Sequence, residues 1–340
     1  MKTTLPLADA FLDAHESKLR PILSRYGKTK EIHSTLLITG IEGVGKKSLA
    51  LYLIQTLFCD EGGTKPCGVC KSCKRALSGH WFDLDWFEPE TNDEGTRVGQ
   101  HKIDAFRELK TKLGMGPAEE PFRIVVIAEA ERMTTAAANS ILKMLEEPPR
   151  NWIFILTASD SSRLLPTILS RCMEIRLNPL SGEQIFSILK TSKGLDFNST
   201  KGQVASRAAL GSLTRAMSYL DEEVWARRDQ ILGLLSSPTH EWMKLVENLA
   251  QSQQDLHLSL DLIESIFSDL LQSLVQGEGY EWIHLDQKES LSQWMEAKRI
   301  TIPKLTHVLE KTAEMRKFVN LTLNAKLLSQ EVLIPILEIL

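Results

Sequence analysis

The sequence predicts an α/β protein in which a parallel sheet is built round a phosphate-binding loop and followed by all-helical domains. Three observations carry that expectation. Short apolar runs at 34–40, 122–130 and 152–159 alternate with segments of helical periodicity, the order that builds a parallel sheet covered on both faces. A glycine-rich stretch, GIEGVGKKS at 40–48, joins the first of those runs to the first long helix pattern. Beyond about residue 178 the strand signal stops and helical patterns continue to the end of the chain.

The elements follow in order. Residues 1–32 are polar with a helical spacing of Leu7, Phe11, His15, Leu19 and Ile22. STLLITG (34–40) reads as a buried strand feeding a loop, and KKSLALYLIQTLF as a helix with Leu49, Leu53, Leu57 and Phe58 on one face. WFDLDWFEPE (81–90) alternates as a strand does, and QHKIDAFRELKTKL (100–113) places Ile103, Phe106, Leu109 and Leu113 on one helical face. FRIVVIAEA (122–130) and WIFILTAS (152–159) are buried strands, separated by the helix TTAAANSILKMLEE (134–147), which has threonines at its start and is stopped by Pro148 and Pro149. LSGEQIFSILKTS then opens the helical part. Its widest apolar stripe is Leu262, Ile263, Ile266, Phe267, Leu270, Leu271 and Leu274, broken by GEG at 277–279, and Pro303 marks the start of a later helix. The expected division is an α/β domain over 1–178, a small helical domain over 179–222 and a larger helical domain over 223–340.

Composition narrows the function classes. With 340 residues, 43% hydrophobic and 25% charged, the chain suits a soluble protein of two or three domains. A net charge of −4 argues against a surface that coats nucleic acid unaided. The first residues lack a signal-peptide core, and no apolar run reaches the roughly 18 residues of a membrane span, so the expected address is cytoplasmic with no membrane contact.

The glycine stretch meets the phosphate-loop signature at Gly40, Gly45 and Lys46. Gly40, Gly43 and Gly45 let backbone N–H groups curl round a phosphate, the helix N-terminus adds partial positive charge, and Lys46 adds a full one. A tight turn with no ligand would use the same glycines. Hydrolysis asks for more: a magnesium ion held by a loop hydroxyl and by an aspartate ending a later strand. The hydroxyl position holds Lys47, with Ser48 one residue late and about 100° round the helix. The strand position holds Ala128, followed by Glu129. With both metal ligands missing, an active ATPase is disfavoured and ATP or ADP binding is in doubt.

Four of the five cysteines, Cys59, Cys67, Cys70 and Cys73, form C-x7-C-x2-C-x2-C. In a reducing compartment that clustering points to metal rather than disulfides, and four thiolates suit a closed, structural zinc site. CGVCKSC shares part of an iron–sulfur run, but that run places its fourth cysteine downstream before a proline, whereas Lys74 follows Cys73 here. Reduced free thiols are the remaining alternative.

Taken together, the glycine loop, the four-cysteine insert after its helix, AAANSILKMLEEPP and LPTILSRC resemble a bacterial clamp-loader subunit of the AAA+ superfamily over most of residues 30–180. IHSTLLITGIEGVGK and HKIDAFRELKTKL fit the same family, and LNAKLLSQEVLIPIL resembles its helical end more weakly. The resemblance implies an AAA+ P-loop core with a zinc insert, a helical lid and an oligomerising helical collar. It implies partners as well: motor subunits of gamma/tau type, a delta-type clamp-opening subunit, the DNA polymerase III holoenzyme, the sliding clamp and primed DNA. It also implies that the arginine of SRC, Arg171, reaches across a subunit interface to a neighbour's ATP, where a guanidinium stabilises charge on the transferring phosphoryl group. An ordinary surface arginine is the plainer reading. Cys172 beside it suits a core position.

Two kinds of family member share these motifs, the ATP-hydrolysing motor and a silent partner. The missing ligands favour the silent partner. So does GSLTRAM, which puts Thr214 where motors carry an arginine and moves Arg215 one place on. The alternatives are a motor-type ATPase with an unusual metal site and a zinc-containing nucleic-acid module. Adjacent Glu146 and Glu147 do not face one another on a helix and read as a helix end. His33, His80 and His101 lack metal spacing and read as solvated or loop residues. Trp225, Trp242, Trp282 and Trp294 read as core or interface packing rather than base stacking.

Overall fold

The computed structural model describes residues 9–78, 81–89, 99–101, 103–112, 115–193, 200–236 and 253–319. Leu7, His80, Leu113, Trp242 and the LNAKLLSQEVLIPIL stretch lie outside them. The chain forms two compact units: Met1–Gly194 with Gly211–Thr214, and Leu195–Leu210 with Arg215–Leu340.

In the first unit five parallel strands make one sheet: β1 (Thr35–Thr39), β2 (Leu84–Phe87), β3 (Arg123–Ile127), β4 (Trp152–Ala158) and β5 (Met173–Arg176), in the order β2-β3-β4-β1-β5. Every residue of β1, β3 and β4 is buried, as expected where helices cover both faces. The apolar runs predicted these three. β2 is shorter than its alternating segment suggested and lies half-buried at the sheet edge. β5 was not legible in the sequence. It pairs with β1 from Leu36↔Met173 to Thr39↔Arg176, yet Ile175 is its one fully buried residue, so no apolar run marks it.

Short helices α1 (Asp9–Ala14) and α2 (Glu16–Thr29) bury Phe11, His15, Leu19, Leu23 and Tyr26. α3 (Lys46–Phe58) buries Tyr52, Ile54 and Thr56 as well as the expected leucine face, because a helix between sheet and insert meets protein on most sides. α4 (Lys71–Ser78) carries the last cysteine of the insert, and α5 (Ile103–Thr111) buries Phe106 and Leu109. α6 (Thr135–Glu146) starts where Thr134 accepts a hydrogen bond from the Ala137 N–H at 3.1 Å, an N-cap that satisfies one of the helix's orphan donors. α7 (Pro166–Leu169) precedes β5, and α8 (Gly182–Lys193) follows it.

The second unit is helical among the described residues: α9 (Thr200–Ala208), α10 (Leu213–Ser218, whose first two residues belong to the first unit), α11 (Glu222–Ser236), α12 (Gln253–Gln276), α13 (Lys288–Ala297) and α14 (Ile302–Val319). α12 buries Leu262, Ile263, Ile266, Phe267 and Leu270, while Leu274 is exposed, so the stripe ends a turn earlier than its sequence suggested. Trp282 is buried in that core, with Trp225 and Trp294 packed against it, as packing residues should be. No described helix is long and apolar enough to cross a membrane.

Candidate functional site: a sealed phosphate loop and an arginine groove

β1 delivers its carboxyl end to Gly40, and three glycines make the loop that follows. Gly40, Gly43 and Gly45 have φ of 148°, 78° and 102°, values that a side chain would strain. Space is as restrictive as backbone. A Cβ on Gly43 would stand 2.0 Å from Ser212 Oγ and 2.9 Å from Thr214 Cβ, and the Leu213 N–H donates to the Gly43 carbonyl at 2.9 Å. A Cβ on Gly45 would stand 2.3 Å from the Phe11 ring. The loop is therefore closed on two sides by the chain itself. Lys46 is buried, and its Nζ donates to the carbonyls of Gly40 (2.7 Å) and Ile41 (3.0 Å) and to Ser159 Oγ (2.9 Å) at the end of β4. Ser48 lies half-buried in the first turn of α3.

Beside it the metal corner has a different charge pattern from a hydrolase. Lys47 Nζ lies 2.9 Å from Glu88 Oε1 and 3.8 Å from Glu129 Oε1. Glu129 takes a left-handed backbone (φ 54°), receives its N–H bond partner in Thr157 Oγ1 at 3.1 Å and pairs with Arg132 at 3.1 Å. A fixed ammonium and two carboxylates thus share the corner at the ends of β2, β3 and α3. Ala128 is fully buried at the strand end, its carbonyl 2.7 Å from His101 Nε2. Here the sequence expectation for His101 is corrected. It is buried, not solvated, and burial is the largest influence holding its pKa below the usual histidine value. The neutral ring must carry its proton on Nε2, since its partner is a carbonyl. Arg215, one place past the motor position, donates to the Asp261 carbonyl at 2.7 Å within the second unit.

Arg171 occupies a second site. It follows α7 at the amino end of β5, donates from Nη1 to the Thr167 carbonyl (2.8 Å) and Ser170 Oγ (3.3 Å), and places Nη2 3.0 Å from Glu146 Oε1. Its Nε is buried without a hydrogen-bond partner. An open groove of about 480 Å³ is lined by His33, Ser34, Leu145, Glu146, Ser170 and Arg171. His33 and Ser34 immediately precede β1, so this groove lies at the amino ends of the strands and the glycine loop at the carboxyl ends. A five-residue strand spans roughly 16 Å, which keeps Arg171 away from its own chain's loop. Glu146 was read only as a helix end, and its pairing with Arg171 is new. Cys172 is partly buried against the sheet core, and burial pushes its thiol up to about 12.

The four insert cysteines converge. Their sulfurs all lie within 4.8 Å of one another, near the roughly 3.8 Å edge of a tetrahedron with Zn–S bonds of about 2.3 Å. The N–H groups of Cys67, Cys70 and Cys73 point at the sulfurs of Cys59 (3.3 Å), Cys67 (3.4 Å) and Cys70 (3.3 Å), an arrangement that supports thiolates. The donor set and its spacing are consistent with a closed zinc site.

A five-stranded parallel sheet in this order, with a glycine loop after β1, a cysteine insert and a helical C-terminal part, defines an AAA+-like P-loop protein. The family model described as DNA polymerase III, delta subunit matches residues 15–181. The chain is 38% identical over 149 residues to DNA polymerase III subunit delta′ of Bacillus subtilis, covering 44% of this chain and 43% of that one. It is 33% identical over 204 residues to subunit tau of Escherichia coli, covering 59% of this chain and 30% of that one. The matches thus span less than half the length of these curated relatives. Among solved structures, a DNA polymerase III gamma subunit-related protein of Thermotoga maritima aligns over 94% of this chain and 99% of that one at 17% identity, with a TM-score of 0.45. Over residues 15–181 the chain matches the delta-prime/gamma/tau clamp-loader family of DNA polymerase III.

Proposed function

We propose that this chain is the delta-prime subunit of the clamp loader: a member of the ring that does not hydrolyse ATP itself and that supplies Arg171 to the ATP site of a neighbouring motor subunit. The observation that carries the reading is Lys47 paired with Glu88 and Glu129 where a hydrolase would hold its metal, with Ala128 in place of the second ligand. Thr214 seated on Gly43 supports it, as does the separation of Arg171 from the loop of its own chain. The residues from 179 to 222 then act as the lid and those from 223 to 340 as the collar. The cysteine insert holds a structural zinc, and the assembled ring places the sliding clamp on primed DNA. Metal analysis should find one zinc per chain, lost on Cys70→Ser.

The motor reading remains the alternative, favoured by the similarity to tau over 204 residues. ATP hydrolysis by the reconstituted loader decides between them, with the isolated chain as control. A silent isolated chain, together with loader turnover that drops on Arg171→Ala, supports delta-prime. Hydrolysis by the isolated chain that is lost on Lys46→Ala and indifferent to Arg171 sinks it.

A further inference from the structure

Arg171 is not presented as a free cation. Its guanidinium has three protein acceptors, Thr167 O, Ser170 Oγ and Glu146 Oε1, while its Nε stays buried and unpartnered. Two of those acceptors come from Arg171's own turn and set where the side chain starts. The third, Glu146, comes from the last residue of α6 and carries charge. A buried N–H with no acceptor marks an arrangement whose donors are incompletely used, and a planar guanidinium has five N–H groups for oxyanions. Glu146 therefore stands where an anion from outside the chain would compete for the same nitrogen. Its carboxylate is about half exposed and the Arg171 side chain is 29% exposed, so both can exchange partners without unfolding the groove.

We infer that Glu146 is a positioning residue for Arg171: a carboxylate latch that holds the guanidinium against the groove wall until the phosphate chain of a neighbour's nucleotide displaces it. This inference rests on the trans-acting reading of Arg171 and adds a step to it. Before the neighbour's nucleotide arrives, Nη2 is paired with Glu146. On arrival, phosphate oxygens replace the carboxylate, Glu146 returns to water, and Nε and Nη2 face the phosphates together. The latch makes the guanidinium available to a multiply charged phosphate chain while weakening its capture of singly charged anions, because displacing the carboxylate must be offset by stronger attraction. Glu146 costs some affinity and contributes selectivity.

The test is Glu146→Gln in the reconstituted loader, read as the affinity for a slowly hydrolysed ATP analogue and as KM and kcat for ATP. A partly exposed ion pair is a modest competitor, so the expected result is an affinity increase of about threefold at the site this chain abuts, a matching fall in KM, and kcat within about twofold of native. Glu146→Asp, which keeps the charge, should stay near native. In an Arg171→Ala background Glu146→Gln should change nothing, which separates a latch from a general surface-charge effect. An unchanged affinity in the Glu146→Gln loader, or the same shift with and without Arg171, overturns the latch while leaving the trans role standing. Native turnover in the Arg171→Ala loader overturns the reading beneath it. Thermal denaturation of the isolated Glu146→Gln chain should match native and exclude misfolding as the cause of any shift.

Discussion

The loop at the carboxyl ends of the strands and the groove at their amino ends make an instructive pair. The loop is tightly built: three left-handed glycines, a buried lysine with three protein acceptors, and side chains from Phe11, Ser212 and Thr214 pressed onto it. The groove is loosely built: an open surface with an arginine, a carboxylate and an exposed histidine. Packing density and chemical capability have separated. In a hydrolase the loop would serve both ends, holding a nucleotide and gaining stability from it. Here the loop is held by internal contacts and its metal corner by an internal cation. The groove carries the arginine proposed to act on a neighbour. The comparison predicts that substitutions in the loop should injure stability and spare turnover, and that substitutions in the groove should do the reverse.

The largest effect should come from the groove. Arg171→Ala is expected to slow ATP turnover at the abutting site by about 10³-fold, the lower end for an arginine supplied in trans. Its cost to the stability of the isolated chain should stay within about 0.5 kcal/mol, since its ion pair is partly exposed. Single-turnover hydrolysis and a urea titration measure the two numbers. A large stability loss with little kinetic change would invert the comparison.

The next effect belongs to the loop. Gly45→Ala must place a Cβ at φ 102° and 2.3 Å from the Phe11 ring. Strained backbone and overpacking together should cost about 2–4 kcal/mol. The part due to the ring should be relieved when Phe11 is also made Ala, giving a non-additive cycle. Loader turnover per assembled complex should be unchanged. If Gly45→Ala were as stable as the native chain, the loop would not be sealed as described.

Much of this was legible in the sequence, and the exceptions have physical causes. The apolar runs located β1, β3 and β4 because central parallel strands are buried on both faces. β5 escaped because one buried residue, Ile175, makes no pattern. The glycine loop, Lys46 and the four cysteines were readable because backbone geometry and metal ligation tie residue type to spacing. The partners of Lys47 and Arg171 were not readable. Glu88 lies 41 residues from Lys47, and only sheet topology brings them together. The burial of His101, a loop residue as its spacing allowed, was unreadable for the same reason: it depends on Ala128 and on the end of β3, which no local pattern reports.

A smaller effect tests the internal cation. Lys47→Met removes the ammonium from Glu88 and Glu129 and leaves two carboxylates sharing a partly buried corner. The expected loss is about 1 kcal/mol. Millimolar Mg²⁺ should restore part of it in the variant and leave the native chain unmoved, because only in the variant have Glu88 and Glu129 lost the ammonium they share, while Arg132 stays paired with Glu129 in both. Calorimetric melting with and without Mg²⁺ reads this directly. A native chain that gains as much from Mg²⁺ as the variant would mean that Lys47 does not fill the metal seat.

The smallest effect is acid sensitivity beside the loop. Burial holds His101 neutral with its pKa below the usual histidine value of 6.5, so between that value and the folded one the unfolded chain binds more protons than the folded chain. Stability then rises with pH through this window and is lost as pH falls. With an unfolded pKa near 6.5 the contribution can reach at most about 0.8 kcal/mol at pH 6. His101→Gln keeps a donor within reach of the Ala128 carbonyl and removes the titration. The stability of the variant should therefore fall less than the native value between pH 7.5 and 6. Parallel curves for the two proteins would show that the ring gains its proton in the folded state without cost. The hydrogen bond to Ala128 would then be a weak constraint on the strand end, and the loop side of the comparison would rest on Gly43, Gly45 and Lys46 alone.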